Sequence, residues 1–190
     1  MSKSLVFTGK GASLSLPGQM RQGLATIREE KALAKATESI VLLLDVSGSM
    51  SEYVGEKRKI DHLREAVRDY ASLRKVSFSS DVAEGSIPNP NGGTNMADAF
   101  EHLLSSHPKE VVLISDGLPD SQEGALSAAR SLACPINVIY IGPGGDEGEA
   151  FMERLAAETS GKQVTADTRL YEDFSRKLTN SVRLMLPGTQ

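Results

Sequence analysis

Ile40-Val41-Leu42-Leu43-Leu44-Asp45-Val46-Ser47-Gly48-Ser49-Met50 decides how the rest of the chain is read. A continuous aliphatic run of strand length predicts a strand buried on both faces, as in a parallel sheet covered by helices. The run empties into a polar turn carrying one carboxylate and two hydroxyls. Asp-x-Ser-x-Ser places three hard oxygen ligands within five residues, and Gly48 lets the backbone bend so that Ser47 and Ser49 converge on one point. The same turn can also be a strand-to-helix connection in which the two serines cap backbone groups.

Downstream of this strand the pattern alternates. Ile60, Leu63, Ala66, Val67, Tyr70 and Leu73 fall at helical spacing, predicting an amphipathic crossover helix over Lys57–Leu73. Lys75–Ser79 and Asp81–Ser86 are strand candidates joined by a turn too tight for a parallel crossover, so they are expected to be antiparallel neighbours. Asn89-Pro90-Asn91-Gly92-Gly93 is a loop, and Thr94-Asn95 opens a helix running to about Ser105. Glu110–Ser115, Ile136–Ile141 and Lys162–Thr165 read as further strands. Ser121–Ala133, Gly148–Thr159 and Leu170–Leu186 read as helices, and Gly142–Gly148 as a mobile surface loop. Strands alternating with helices imply an α/β, doubly wound, mostly parallel sheet with helices on both faces.

Upstream, residues 1–36 stand outside this alternation. Two short strand-like runs within Leu5–Leu16 suggest a hairpin, and Gln19–Lys35 a helix with Met20, Leu24 and Ile27 on one stripe. The expected organisation is an N-terminal extension, 1–36, that packs or docks, followed by a domain over 37–188.

Composition narrows the function. The chain has 190 residues, 39% hydrophobic and 24% charged, which is an ordinary globular balance. No apolar run approaches the roughly 20 residues of a spanning helix, and the N-terminus lacks the apolar segment of a secretory signal. Together with a single cysteine, Cys134, read as a buried structural thiol, this places the chain in the cytoplasm, away from membranes. A formal net charge of −4 argues against nucleic acid. Lys57-Arg58-Lys59, the one basic cluster, reads as a solvated helix end.

Parallel sheets collect the carboxyl ends of their strands along one edge, where ligands bind. Asp45 ends the first aliphatic strand and Asp116 the second. If those strands are neighbours, about 5 Å apart, both carboxylates face one small volume, and a divalent cation relieves their repulsion. Thr94, opening a helix on the same edge, either adds a fifth oxygen or is a plain helix N-cap. Hydroxyls and carboxylates without His or Cys suit Mg²⁺, Mn²⁺ or Ca²⁺ and are poor for Zn²⁺.

Asp45-Val46-Ser47-Gly48-Ser49, Gly92-Gly93-Thr94 and Ser115-Asp116-Gly117 together resemble the metal-ion-dependent adhesion site of von Willebrand factor A domains. The resemblance covers about 37–186 in the same element order. It implies a six-stranded sheet of order 3-2-1-4-5-6 with one antiparallel edge strand. It further implies Ser47, Ser49 and Thr94 as direct metal ligands, with Asp45 and Asp116 acting mainly through water. Met50, Gly93, Asn95 and Gly117 are expected to form the rim.

The implied work is non-catalytic: an Mg²⁺-dependent protein-interaction module that grips an Asp or Glu of a protein partner. Solitary members of the family resemble adaptors for AAA+ ATPases or stress-resistance assemblies. The alternatives are a structural subunit whose metal staples the strand ends and, weakest, a metal-dependent phosphatase. Such a phosphatase would use a second carboxylate where Ser47 stands, and His62, His102 and His107 all lie outside the motifs.

Overall fold

Six consecutive buried residues make β1 (Ile40–Asp45) the centre of the sheet. The computed structural model describes residues 39–186; the hairpin and helix expected before residue 37, the boundary at 36/37 and the last four residues lie outside the described residues. β1 pairs in parallel with β4 (Arg74–Phe78) on one side and β6 (Glu110–Ser115) on the other. β7 (Ile136–Gly142) and β8 (Gln163–Asp167) extend the sheet beyond β6. β5 (Val82–Glu84) runs antiparallel to β4 at the other edge, giving the order β5-β4-β1-β6-β7-β8. This is the expected doubly wound topology.

Side chains alternate across a strand, so β1 feeds two cores. Val41 and Leu43 join Val76, Phe78, Val111 and Leu113 beneath α2 (Met96–Leu104), α3 (Gln122–Ser131) and α4 (Glu147–Glu158). Leu42 and Leu44 join Val112, Ile114 and Ile139 beneath α1 (Lys59–Ala66) and α5 (Phe174–Met185). Each fully buried Leu, Ile or Phe contributes about 1.5–3 kcal/mol relative to exposure. With both faces covered in this way, the polar loops are left to the strand ends.

Three expectations are corrected. Lys57 and Arg58 are not helical: they form β3 (Lys57–Arg58), paired antiparallel with β2 (Tyr53–Val54) in a small ribbon. The helix then ends at Ala66, and Arg68–Tyr70 is a 3-10 turn. Val67, Tyr70 and Leu73 are all buried. Their spacing of three is the 3-10 period, so the apolar stripe continues after the α-helix has stopped.

The last helix begins at Phe174 rather than Leu170. Arg169 donates from its backbone and guanidinium to the Asp167 carboxylate, and Leu170 N–H closes a turn on the Asp167 carbonyl at 3.2 Å. This leaves Leu170 and Tyr171 exposed. The glycine-rich loop packs around Tyr140: a Cβ on Gly142 or Gly148 would collide with its ring, and its hydroxyl donates to Asp146 Oδ2 at 2.7 Å. Among the described residues no helix is long and apolar enough to cross a membrane.

Candidate metal centre

Asp45 is the last residue of β1 and Asp116 the first after β6, so parallel pairing brings both carboxylates to the same edge. Asp45 is fully buried. Its Oδ1 accepts the Ser47 backbone N–H at 2.7 Å, and its Oδ2 accepts the Ser115 hydroxyl at 2.6 Å. Burial pushes the Asp45 carboxyl up to about 6, and the negative charge of Asp116 adds to the effect.

The Ser47–Ser49 turn is the start of a 3-10 helix, Gly48–Ser51. It brings Ser47 Oγ and Ser49 Oγ to 3.0 Å, and the Ser49 hydroxyl donates to Asp116 Oδ1 at 2.7 Å. Because that hydroxyl has only one proton, Ser47 is the donor between the two serines. Gly48 does not serve by an unusual φ. Its N–H donates to the Gly92 carbonyl at 3.1 Å, which ties the second loop to this turn, and a Cβ there would make only an ordinary contact with the same oxygen at 3.4 Å.

That second loop carries Thr94. Asn91 N–H donates to the Val46 carbonyl at 2.9 Å, and Gly92 takes φ +69, where a side chain would be strained and would meet Ser80. Thr94 is buried, and its N–H donates to Asp120 Oδ1 at 3.1 Å. Asn95, not Thr94, caps α2: its side chain accepts the Asp98 N–H. Thr94 is thereby released from the capping role. Gly93, Asn95 and Gly117 are partly exposed at this edge, but Met50 is not a rim residue. The 3-10 turn points it into the core with Val46, Val54 and Ile60, where it is 0% exposed.

One group arrives that the sequence reading placed in solvent. Lys59, the first residue of α1, is buried and donates from Nζ to Asp116 Oδ2 and to Glu52 Oε2, each at 2.7 Å. Burial works against its charge, but Asp116 and Glu52 outweigh it and hold the ammonium above its usual value. The readable signal was its place on the apolar stripe, with Leu63 and Ala66 four and seven residues on. Ser115 and Asp120 were also missed as site residues, each being an ordinary polar residue until the loops are folded.

Among the described residues no three His, Cys, Asp or Glu side chains cluster as a metal site. What converges instead is two hydroxyls and two carboxylates, a set of hard oxygens whose chemistry fits a divalent cation. The histidines lie elsewhere. His62 is buried and bonds to the Val54 carbonyl and Ser175 Oγ, while His102 bonds to Glu84.

Solved structures share this architecture. A von Willebrand factor type A protein from Catenulispora acidiphila superposes with a TM-score of 0.56 at 18% identity, over 76% of this chain and 43% of that one. The fold is that of a von Willebrand factor A domain. Proximal thread matrix protein 1 from the mussel byssus, in a structure with a zinc-occupied adhesion-site motif, gives 0.60 at 17% identity over 77% and 47%. A second crystal form of that protein gives 0.54 at 17% identity, over 76% and 44%. The A-domain fold here thus spans less than half the length of those chains. No protein-family model matches the sequence, and no curated protein matches it either.

Proposed function

We propose that this chain is a metal-dependent protein-interaction module that binds a carboxylate of its partner through a divalent cation at the β1–β6 edge. The observation that carries the reading is the close chain of Ser47 Oγ, Ser49 Oγ and Asp116 Oδ1, with links of 3.0 and 2.7 Å, at the carboxyl ends of neighbouring parallel strands. Ser47, Ser49 and Thr94 would hold the ion, and Asp45 and Asp116 would balance its charge. When bound, the ion supplies a Lewis-acidic position for an anionic side chain of the partner. All-oxygen donors favour Mg²⁺ or Mn²⁺, and the zinc in the mussel protein's motif makes Zn²⁺ the competitor to include. We read the module as non-enzymatic and cytoplasmic, an adaptor of the kind that solitary members of the resembled family supply to AAA+ ATPases or stress-resistance assemblies.

The test is calorimetric titration with Mg²⁺, Mn²⁺ and Zn²⁺, followed by partner capture with and without EDTA. Ser47→Ala combined with Ser49→Ala is expected to abolish metal binding and metal-dependent capture while the circular dichroism spectrum persists. Undiminished binding by the double variant would overturn the reading.

A second reading, a structural subunit whose site staples the strand ends, draws support from the completed hydrogen bonding. Both carboxylates have all four oxygens occupied by donors of this chain. On that reading the double variant keeps its partners, and EDTA changes nothing in capture.

A further inference from the structure

We propose that Lys59 is a built-in rival of the divalent cation, which weakens the site for metal alone and strengthens its hold on a carboxylate once metal is present. The inference rests on the metal-centre reading above and concerns a residue outside the Asp-x-Ser-x-Ser, Gly-Thr and Asp-Gly motifs. Lys59 Nζ takes one of the two oxygens of Asp116, and Ser49 takes the other. Its side chain is only 10% exposed, so the ammonium is held between Asp116 and Glu52 rather than in bulk water.

Charge fixes the consequence. Asp45 and Asp116 are two anions, and a divalent cation by itself would leave the site neutral. Lys59 already offsets one of them, so an incoming cation meets a site of smaller negative charge and binds less tightly. Once loaded, the buried groups, two carboxylates and one ammonium with the cation, carry one excess positive charge, which Glu52 offsets only from the solvent side. A buried excess of that kind favours an anionic ligand from outside, which makes metal and partner carboxylate bind more strongly together than apart. Glu52, whose side chain is 66% exposed, modulates the ammonium from the solvent side.

The experiment is calorimetric titration of Mn²⁺ into wild type, Lys59→Met, Lys59→Arg and Glu52→Gln, each with and without acetate as the carboxylate probe. An ammonium beside a carboxylate lowers its proton affinity by about tenfold or more, and the same electrostatics act on a metal cation at that carboxylate. Lys59→Met is therefore expected to bind Mn²⁺ at least about tenfold more tightly than wild type and to lose most of the enhancement by acetate. Lys59→Arg, which keeps the charge, should stay near wild type, and Glu52→Gln should bind Mn²⁺ more weakly.

Equal or weaker Mn²⁺ binding by Lys59→Met would overturn the rivalry and leave the metal centre intact. No binding by either protein would remove the metal centre and this inference with it. Should Lys59→Met fail to fold, Glu52→Gln decides, since its site is exposed: affinity unchanged from wild type would overturn the proposal.

Discussion

Asp45 and Asp116 close adjacent strands of one sheet and are both buried, yet they are satisfied in opposite ways. Asp45 is surrounded by neutral donors, a backbone N–H and the Ser115 hydroxyl, and its carboxyl is pushed up to about 6. Asp116 faces an ammonium. The difference comes from neither strand but from α1, whose first residue is placed by the ribbon before it. Equivalent positions in a sheet are therefore not equivalent sites, because a third element sets the electrostatics.

The sharpest way to break the comparison is Asp116→Ala. It strands the Lys59 ammonium beside a single, largely exposed carboxylate, and breaking a buried pair costs about 3–5 kcal/mol. Urea unfolding in EDTA should show a loss at the lower end of that range, because Glu52 remains. Next in size is Ser115→Ala, which removes one donor from buried Asp45. Leaving a buried acceptor unsatisfied costs about 1–3 kcal/mol, read as a lowered urea midpoint at unchanged slope.

Asp45→Asn should cost less, within about 1 kcal/mol at neutral pH, because the Ser115 hydroxyl can turn and accept from the new amide. A loss as large as that of Asp116→Ala would erase the distinction between the two carboxylates.

The smallest effect serves as a surface control. Glu84, half-exposed at the edge of the sheet, is held below the usual carboxylate range by Arg74, with His102 adding to it. A depressed carboxyl stabilises the fold above its unfolded value of 4.5, and that stability is lost as pH falls through the lower folded value. Solvent screening reduces the effect to a few tenths of a kcal/mol. Glu84→Gln should flatten the acid limb of the stability profile by that amount and leave the metal titration unchanged.

Much of this was legible from residues alone. Uninterrupted aliphatic runs at 40–44 and 111–114 predict strands buried on both faces, and the turns after them predict where the oxygens gather. The sheet order followed from the motif resemblance. What was not legible depended on three-dimensional closure. Val67, Tyr70 and Leu73 keep a buried stripe in a 3-10 turn, which periodicity does not separate from a helix. Met50 reads as a neighbour of ligands, but the 3-10 turn after Ser47 sends it inward. Lys59 looks like one of three consecutive solvated cations until the ribbon turns Lys57 and Arg58 aside and leaves it alone on the buried face.

β5 has a consequence for the company this chain keeps. An edge strand with open N–H and C=O groups is a template on which other chains can add, and long flat edges invite aggregation. β5 has three residues, one of them Glu84 in an ion pair with Arg74. So short and charged a border gives a stray strand little to zip against. Recruitment by unspecific β-addition is discouraged on that flank.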